Sequence, residues 1–305
     1  MRLVTLLIDG APRAGVVLAN GNVLDLAEAA REAPGAAGEA VRTASLQSII
    51  EAGPKALDLV RTLADRSDRS AQRRPEDHVT MAPLPSPAKN VFCVGRNYAE
   101  HIAEGDRAQN QKVGVTEHPV FFTKPRTAVI GPGAAIPIFP HVSTSIDFEV
   151  ELALVIGRRG RDIAREDAFD HILGYTIIND VSARDIQRRH GGQYFKGKGL
   201  DGSCPMGPCI VTADEIGDPG NLAISLTVNG ETRQSSTTAR MIFDIPTLIA
   251  SLSAGMTLEP GDILATGTPS GVGYAMDPPR FLTDGDVVVC TIENIGSLEN
   301  YCRVQ

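Results

Sequence analysis

The chain has 305 residues, 42% of them hydrophobic and 22% charged, with a formal net charge of −8. That balance suits an ordinary globular protein with ample core and argues against a nucleic-acid phosphate backbone as partner. No run approaches the roughly 20 apolar residues of a membrane span, and the opening residues 1–9 are too few and too soon acidic for a secretory signal, so a cytoplasmic protein is expected.

The opening predicts a small β-meander, with strands at 3–8, 14–18 and 23–26 and turn signals at Asp9-Gly10 and Asn20-Gly21-Asn22. Helices are expected over 27–32 and 45–65, the second divided at Gly53-Pro54. A charged stretch over 65–78 and the proline-rich 83–87 read as a linker, its arginines as solvated surface. The expected division is a small N-terminal α+β domain over 1–80 and a larger domain over 81–305. In the larger one, strands bounded by glycine and proline are predicted at 91–94, 120–123, 146–156, 172–179, 223–228, 263–265 and 287–292, with Asn229-Gly230 as a hairpin turn. The few helices fall at 99–103, 165–168, 181–188 and 245–253. No regular strand–helix alternation and no long repeat appears, which disfavours a doubly wound sheet and a solenoid. Five cysteines, an odd number without C-x-x-C spacing, read as reduced packing residues.

Within this pattern, Glu149 and Glu151 lie two residues apart in an apolar strand and therefore share a face, opposite Phe148, Val150 and Leu152. Two like charges so close repel and resist desolvation, whereas a divalent cation turns the same geometry into attraction. The alternative is a solvent-facing strand. The run 172–179 delivers a further carboxylate, Asp180, just past its end; Asp180 is a ligand or else the cap of the helix that follows. Three carboxylates without clustered His or Cys suit Mg²⁺, Mn²⁺ or Ca²⁺ and disfavour zinc.

His101 and Glu104, three apart in a short helix, are neighbours on one face, where a carboxylate fixes the tautomer of an imidazole. No serine or cysteine nucleophile accompanies them, so the activated species is water; the alternative is a surface pair. Arg184 and Gln187 also share a helix face. The loop Gly267-Thr268-Pro269-Ser270-Gly271 lacks the Gly-Lys-Ser/Thr of a phosphate loop, which argues against nucleotide binding. The polar, glycine-containing stretch 103–117 is a candidate lid.

Five motifs occur in one order: Gly95-Arg-Asn-Tyr-Ala-Glu-His101, Asp147-Phe-Glu-Val-Glu-Leu-Ala-Leu-Val-Ile-Gly157, Asn179-Asp-Val-Ser-Ala-Arg-Asp185, Lys198-Gly-Leu-Asp-Gly-Ser-Cys-Pro-Met-Gly-Pro208 and Thr266-Gly-Thr-Pro-Ser-Gly-Val272. From about Val91 to the C-terminus, the chain thereby resembles the fumarylacetoacetate hydrolase family. The resemblance implies a mainly β, α+β fold, a mixed β-sandwich roll, assembled as homodimers. It implies Mg²⁺ (or Mn²⁺ or Ca²⁺) held by Glu149, Glu151 and Asp180, with His101 as general base and Glu104 as its orienting partner. Lys198 would hold a substrate or enolate oxygen, with Lys196 as the competing candidate. Arg184 and Gln187 would contact substrate, and Thr268 would meet its carboxylate. Two departures stand out: residues 90–94 carry no carboxylate where the largest family members use a further aspartate, and Leu200 replaces a usual aromatic.

The activity this implies is metal-dependent hydrolysis of a carbon–carbon bond in an acylpyruvate-type 1,3-diketo acid, a chemistry of aromatic catabolism, on a small anionic 2-oxo acid substrate. The alternative is decarboxylation or keto–enol isomerisation of a related, oxaloacetate-like 2-oxo diacid. A remoter one, a catalytically idle metal-stabilised binding protein, is opposed by the intact His101, Glu104 and Lys198.

Overall fold

A computed structural model describes residues 1–43, 45–66, 68–110 and 112–305; position 67 of the expected linker and position 111 of the expected lid lie outside the described residues. The fold is built around Val150–Ile156, a strand buried along its whole length. Val150, Leu152 and Leu154 enter one core, and Ala153 and Val155 enter another. Cover on both faces explains why this stretch is continuously apolar rather than alternating.

The strand lies inside a large mixed sheet in which Ile172–Asn179 and Ile263–Ala265 flank it, Cys204–Thr212 follows on one side, and Val91–Gly95 with Val120–Lys124 complete the other. One face packs on a second sheet, in the order Glu231–Thr237, Ala223–Val228, Val287–Ile292, Gly296–Val304 and Ala135–Ile138, through Ile224, Leu226, Val288 and Ile292. The other face packs on helices Leu46–Glu51 and Pro54–Arg66, through Ile49, Ile50, Val60 and Leu63. The architecture is α+β and strand-rich, with helices on one side of stacked sheets. Among the described residues, no helix is long and apolar enough to cross a membrane.

Arg2–Ile8 pairs antiparallel with Cys204–Thr212, so the N-terminal meander extends the large sheet across the expected boundary at residue 80. The break at Gly53-Pro54 divides two helices as expected. Three expected elements differ. The single strand over 146–156 is two, Ile146–Asp147 and Val150–Ile156. Side-chain oxygens replace the ladder between them: Phe148 N donates to Asp147 Oδ1 at 2.9 Å and Glu149 N to Asn179 Oδ1 at 3.0 Å. The helix expected over 181–188 begins at Arg184, because Ser182–Ala183 first pairs with Ile146–Asp147. The helix expected over 99–103 runs Ala99–Gln109 and ends on left-handed Asn110, so the first half of the expected lid is helical. Cys204–Thr212 was not predicted as a strand, since Pro205, Gly207 and Pro208 obscure its pattern.

Candidate active site

The register of Val150–Ile156 on Ile172–Asn179 places Val150 opposite Asn179, and Asp180 N donates to Glu149 O at 2.8 Å. The two strand ends thereby bring Glu149, Glu151 and Asp180 together, each offering an oxygen within 4.8 Å of the others. Their exposures are 4%, 1% and 0%, so neither a solvent-facing strand nor a surface helix cap describes them.

Three cations surround the cluster. Lys198 Nζ donates to Glu149 Oε2 at 2.7 Å and Asp180 Oδ2 at 2.6 Å. Lys124 Nζ donates to Asp180 Oδ1 at 2.7 Å and to Val181 O at 3.0 Å. Arg184 joins Glu149 Oε1 through Nη2 at 2.5 Å and Asp147 Oδ2 through Nε at 2.8 Å. Its guanidinium also lies over the Tyr274 ring, 4.5 Å from the centroid. Burial works against ionisation of Glu149, but Lys198 and Arg184 overcome it and hold that carboxyl well below the usual range.

Glu151 differs. It accepts one hydrogen bond, from Gly267 N at 2.8 Å, and has no ion pair among the described residues. Burial, reinforced by Asp180 and Glu149, pushes its carboxyl well above the usual range. Four buried carboxylates (Asp147, Glu149, Glu151, Asp180) thus face three buried cations (Lys124, Arg184, Lys198), a deficit of positive charge centred on Glu151. An all-oxygen donor set with that deficit fits a hard divalent cation held by Glu149, Glu151 and Asp180.

His101 Nδ1 lies 2.9 Å from Glu104 Oε1. Glu104 Oε2 accepts from Gly271 N at 2.8 Å, so the orienting carboxylate is itself anchored. An imidazole that donates Nδ1–H to such a carboxylate presents Nε2 as the acceptor. His101, Glu149, Arg184, Gln187 and Lys198 line one cavity of about 380 Å³. Gln187 Oε1 accepts from Arg184 Nη1 at 3.2 Å. Lys198 is 3% exposed, whereas Lys196 is exposed.

Thr268 lies apart from the cavity lining. Its hydroxyl donates to Val150 O at 2.9 Å and accepts from Gln234 Nε2 at 2.8 Å. What the glycine loop contributes to the site is backbone N–H groups, from Gly267 to Glu151 and from Gly271 to Glu104. Both glycines are left-handed, with φ of 99° and 104°.

Lys124 and Asp147 were given no role from sequence. Lys124 lies just past the predicted strand 120–123, where a lysine reads as solvated, and only its 0% exposure marks it. Asp147 heads the quoted motif and accepts from Gly273 N at 2.7 Å and Tyr274 N at 3.1 Å, besides Arg184; an aspartate inside an apolar run was the available signal.

The family model described as fumarylacetoacetate (FAA) hydrolase C-terminal matches residues 90–304. The chain is 50% identical over 219 residues to oxaloacetate tautomerase YisK of Bacillus subtilis (strain 168), covering 72% of this chain and 71% of that protein. It is 40% identical over 292 residues to the mitochondrial oxaloacetate tautomerase fahd2 of Xenopus laevis, covering 95% and 86%. Among solved structures, the fumarylacetoacetate hydrolase of psychrophilic Exiguobacterium antarcticum superposes with a TM-score of 0.82 at 41% identity, over all of both chains. The maleylpyruvate hydrolase of Sphingobium sp. SYK-6, in complex with manganese(II) ion and pyruvate, does so at 0.76 and 30% identity, over 100% of this chain and 99% of that one.

Proposed function

The chain belongs to the fumarylacetoacetate hydrolase family, a family of enzymes acting on small acids, and from that premise we propose that it is a metal-dependent keto–enol tautomerase of an oxaloacetate-like 2-oxo diacid. The observation that carries this choice is the 50% identity to the Bacillus subtilis oxaloacetate tautomerase, supported by the long match to the Xenopus laevis one. The order of preference drawn from sequence alone, hydrolysis before isomerisation, is reversed.

In this reading Glu149, Glu151 and Asp180 hold Mg²⁺ or Mn²⁺, which supplies Lewis acidity toward the 2-oxo and adjacent carboxylate oxygens. Arg184 and Gln187 orient the substrate on the cavity wall. His101 Nε2 takes a proton from C3 of the keto acid, breaking the C–H bond and leaving its electron pair in the enolate. Lys198 donates a hydrogen bond to the oxygen where that charge collects. A proton returned to oxygen completes the enol, so the reaction is balanced without water or a redox partner. Glu104 fixes the imidazole throughout. A homodimer in the cytoplasm belongs to the same reading; light scattering tests the dimer.

A second reading, hydrolysis of an acylpyruvate-type diketo acid, is favoured by the His101–Glu104 pair on the cavity wall, a base equally suited to water, and by the similarity to the maleylpyruvate hydrolase. The test is a side-by-side assay of the Mg²⁺-loaded enzyme: enol absorbance and carbon dioxide release from oxaloacetate, and cleavage of acylpyruvates. Faster enol–keto conversion than cleavage or decarboxylation, with a loss on the order of 10²–10⁴ in His101→Ala, is expected. Acylpyruvate cleavage as the dominant activity would replace the proposal with the hydrolytic one.

A further inference from the structure

The cations that line the cavity differ in how far they are already committed. Two are fully committed: Lys198 and Arg184 are paired with Glu149, Asp180 and Asp147. Glu149 is the acidic residue among those lining the cavity, and it carries both of these cations. Arg96 and Arg188 also line the cavity. Neither guanidinium makes a hydrogen bond among the described residues. Arg188 rests on the Tyr274 ring, 5.3 Å from its centroid. The nearest acid to Arg96 is Asp106, at 4.0 Å, beyond charge-assisted hydrogen-bond distance. Asp106 has a second engagement, since its other oxygen accepts from Val113 N and Gly114 N at 3.1 Å.

Arg96 is also one of the few non-glycine residues with left-handed backbone, at φ 62°. Such a conformation costs on the order of 1 kcal/mol or more in an L residue and clusters where a side chain must be aimed. The 22% exposure of its side chain keeps its five donors wet rather than buried and orphaned.

We propose that Arg96 is a specificity-determining residue that receives the second carboxylate of a 2-oxo diacid, with Arg188 adding to the positive field of the cavity. This rests on the reading of the cavity as a 2-oxo acid site and deepens it. The 2-oxo carboxylate sits beside Glu149, Lys198 and Arg184, and a substrate with one carboxylate leaves Arg96 without a hydrogen-bonded partner. A planar guanidinium matches a carboxylate in two parallel hydrogen bonds.

The test uses calorimetry on the Mg²⁺-loaded protein, independent of turnover, with 2-oxoglutarate and 2-oxopentanoate, which differ by a carboxylate in place of a methyl group. The native chain should bind the diacid more tightly. Arg96→Gln should weaken 2-oxoglutarate on the order of 10- to 100-fold and leave 2-oxopentanoate within about threefold. Arg96→Gly serves as the companion variant, because glycine accepts φ 62° without strain and preserves the fold while removing the charge. Equal affinity of the native chain for the two acids, or equal loss for both in the variants, would overturn the assignment. Selective loss of the diacid in a protein that does not tautomerise oxaloacetate would instead overturn the proposed reaction and leave Arg96 in its role.

Discussion

Lys124 and Asp180, 56 residues apart in sequence, meet at 2.7 Å with both side chains 0% exposed. The contact ties the end of Val120–Lys124 to the end of Ile172–Asn179 across the central strands. It also holds one carboxylate oxygen of Asp180 while Lys198 holds the other.

Replacing Lys124 by Met keeps the aliphatic stem and removes the charge. Asp180 would then be left with a buried, half-compensated carboxylate, and breaking such a pair costs about 3–5 kcal/mol. Chemical denaturation of the metal-free variant should show that loss. Added Mg²⁺ should recover part of it through mass action on the folded state. An unchanged denaturation midpoint would mean that Lys124 merely fills space.

Glu151 links metal binding to pH. Its carboxyl is raised by burial and by its two acidic neighbours. A buried acid of this kind contributes less stability as pH climbs from the ordinary carboxylate value toward the raised one, because the folded state keeps the proton longer than the unfolded chain. A divalent cation needs the ionised form, so Mg²⁺ should displace that proton and bind more tightly as pH rises through the same window. Calorimetric titrations in buffers of different ionisation enthalpy should register proton release. Glu151→Gln should abolish the release and weaken Mg²⁺ by about 100-fold or more, with turnover lost in parallel.

Gly271 orients the His101–Glu104 pair from outside the helix. A Cβ there would lie 2.1 Å from Arg233 O, and the backbone is left-handed. Gly271→Ala should therefore shift the N–H that Glu104 accepts, lowering kcat about tenfold while Mg²⁺ affinity stays near the native value. A proportional loss of metal affinity would show that the loop acts on the triad instead.

A lid response to ligand is expected at residues 112–117, beyond the Ala99–Gln109 helix. The N–H groups of Val113 and Gly114 are held by Asp106 alone among the described residues. Hydrogen exchange with and without oxalate should show gained protection concentrated at 112–117, with residues 103–109 already protected in both states. Uniform exchange across 112–117 in both states would make it an ordinary loop.

The sequence by itself carried the carboxylate triad, the His101–Glu104 pair and the family, because each depends on local geometry. Period-two alternation puts Glu149 and Glu151 on one face, a helical spacing of three joins His101 to Glu104, and strand ends deliver Asp180. Turn signals placed Ile172–Asn179, Ala223–Val228 and Val287–Ile292 for the same reason. Only the tertiary structure decided which charges answer one another. Lys124 and the N–H groups of Gly267 and Gly271 reach the site from strands and loops distant in the chain, and the guanidinium of Arg96, without a hydrogen bond among the described residues, stands out only against the paired ones. Burial is a property of the whole packing: the same lysine or aspartate is a solvated surface charge or an obligatory ion pair according to what covers it, and no local pattern records that cover.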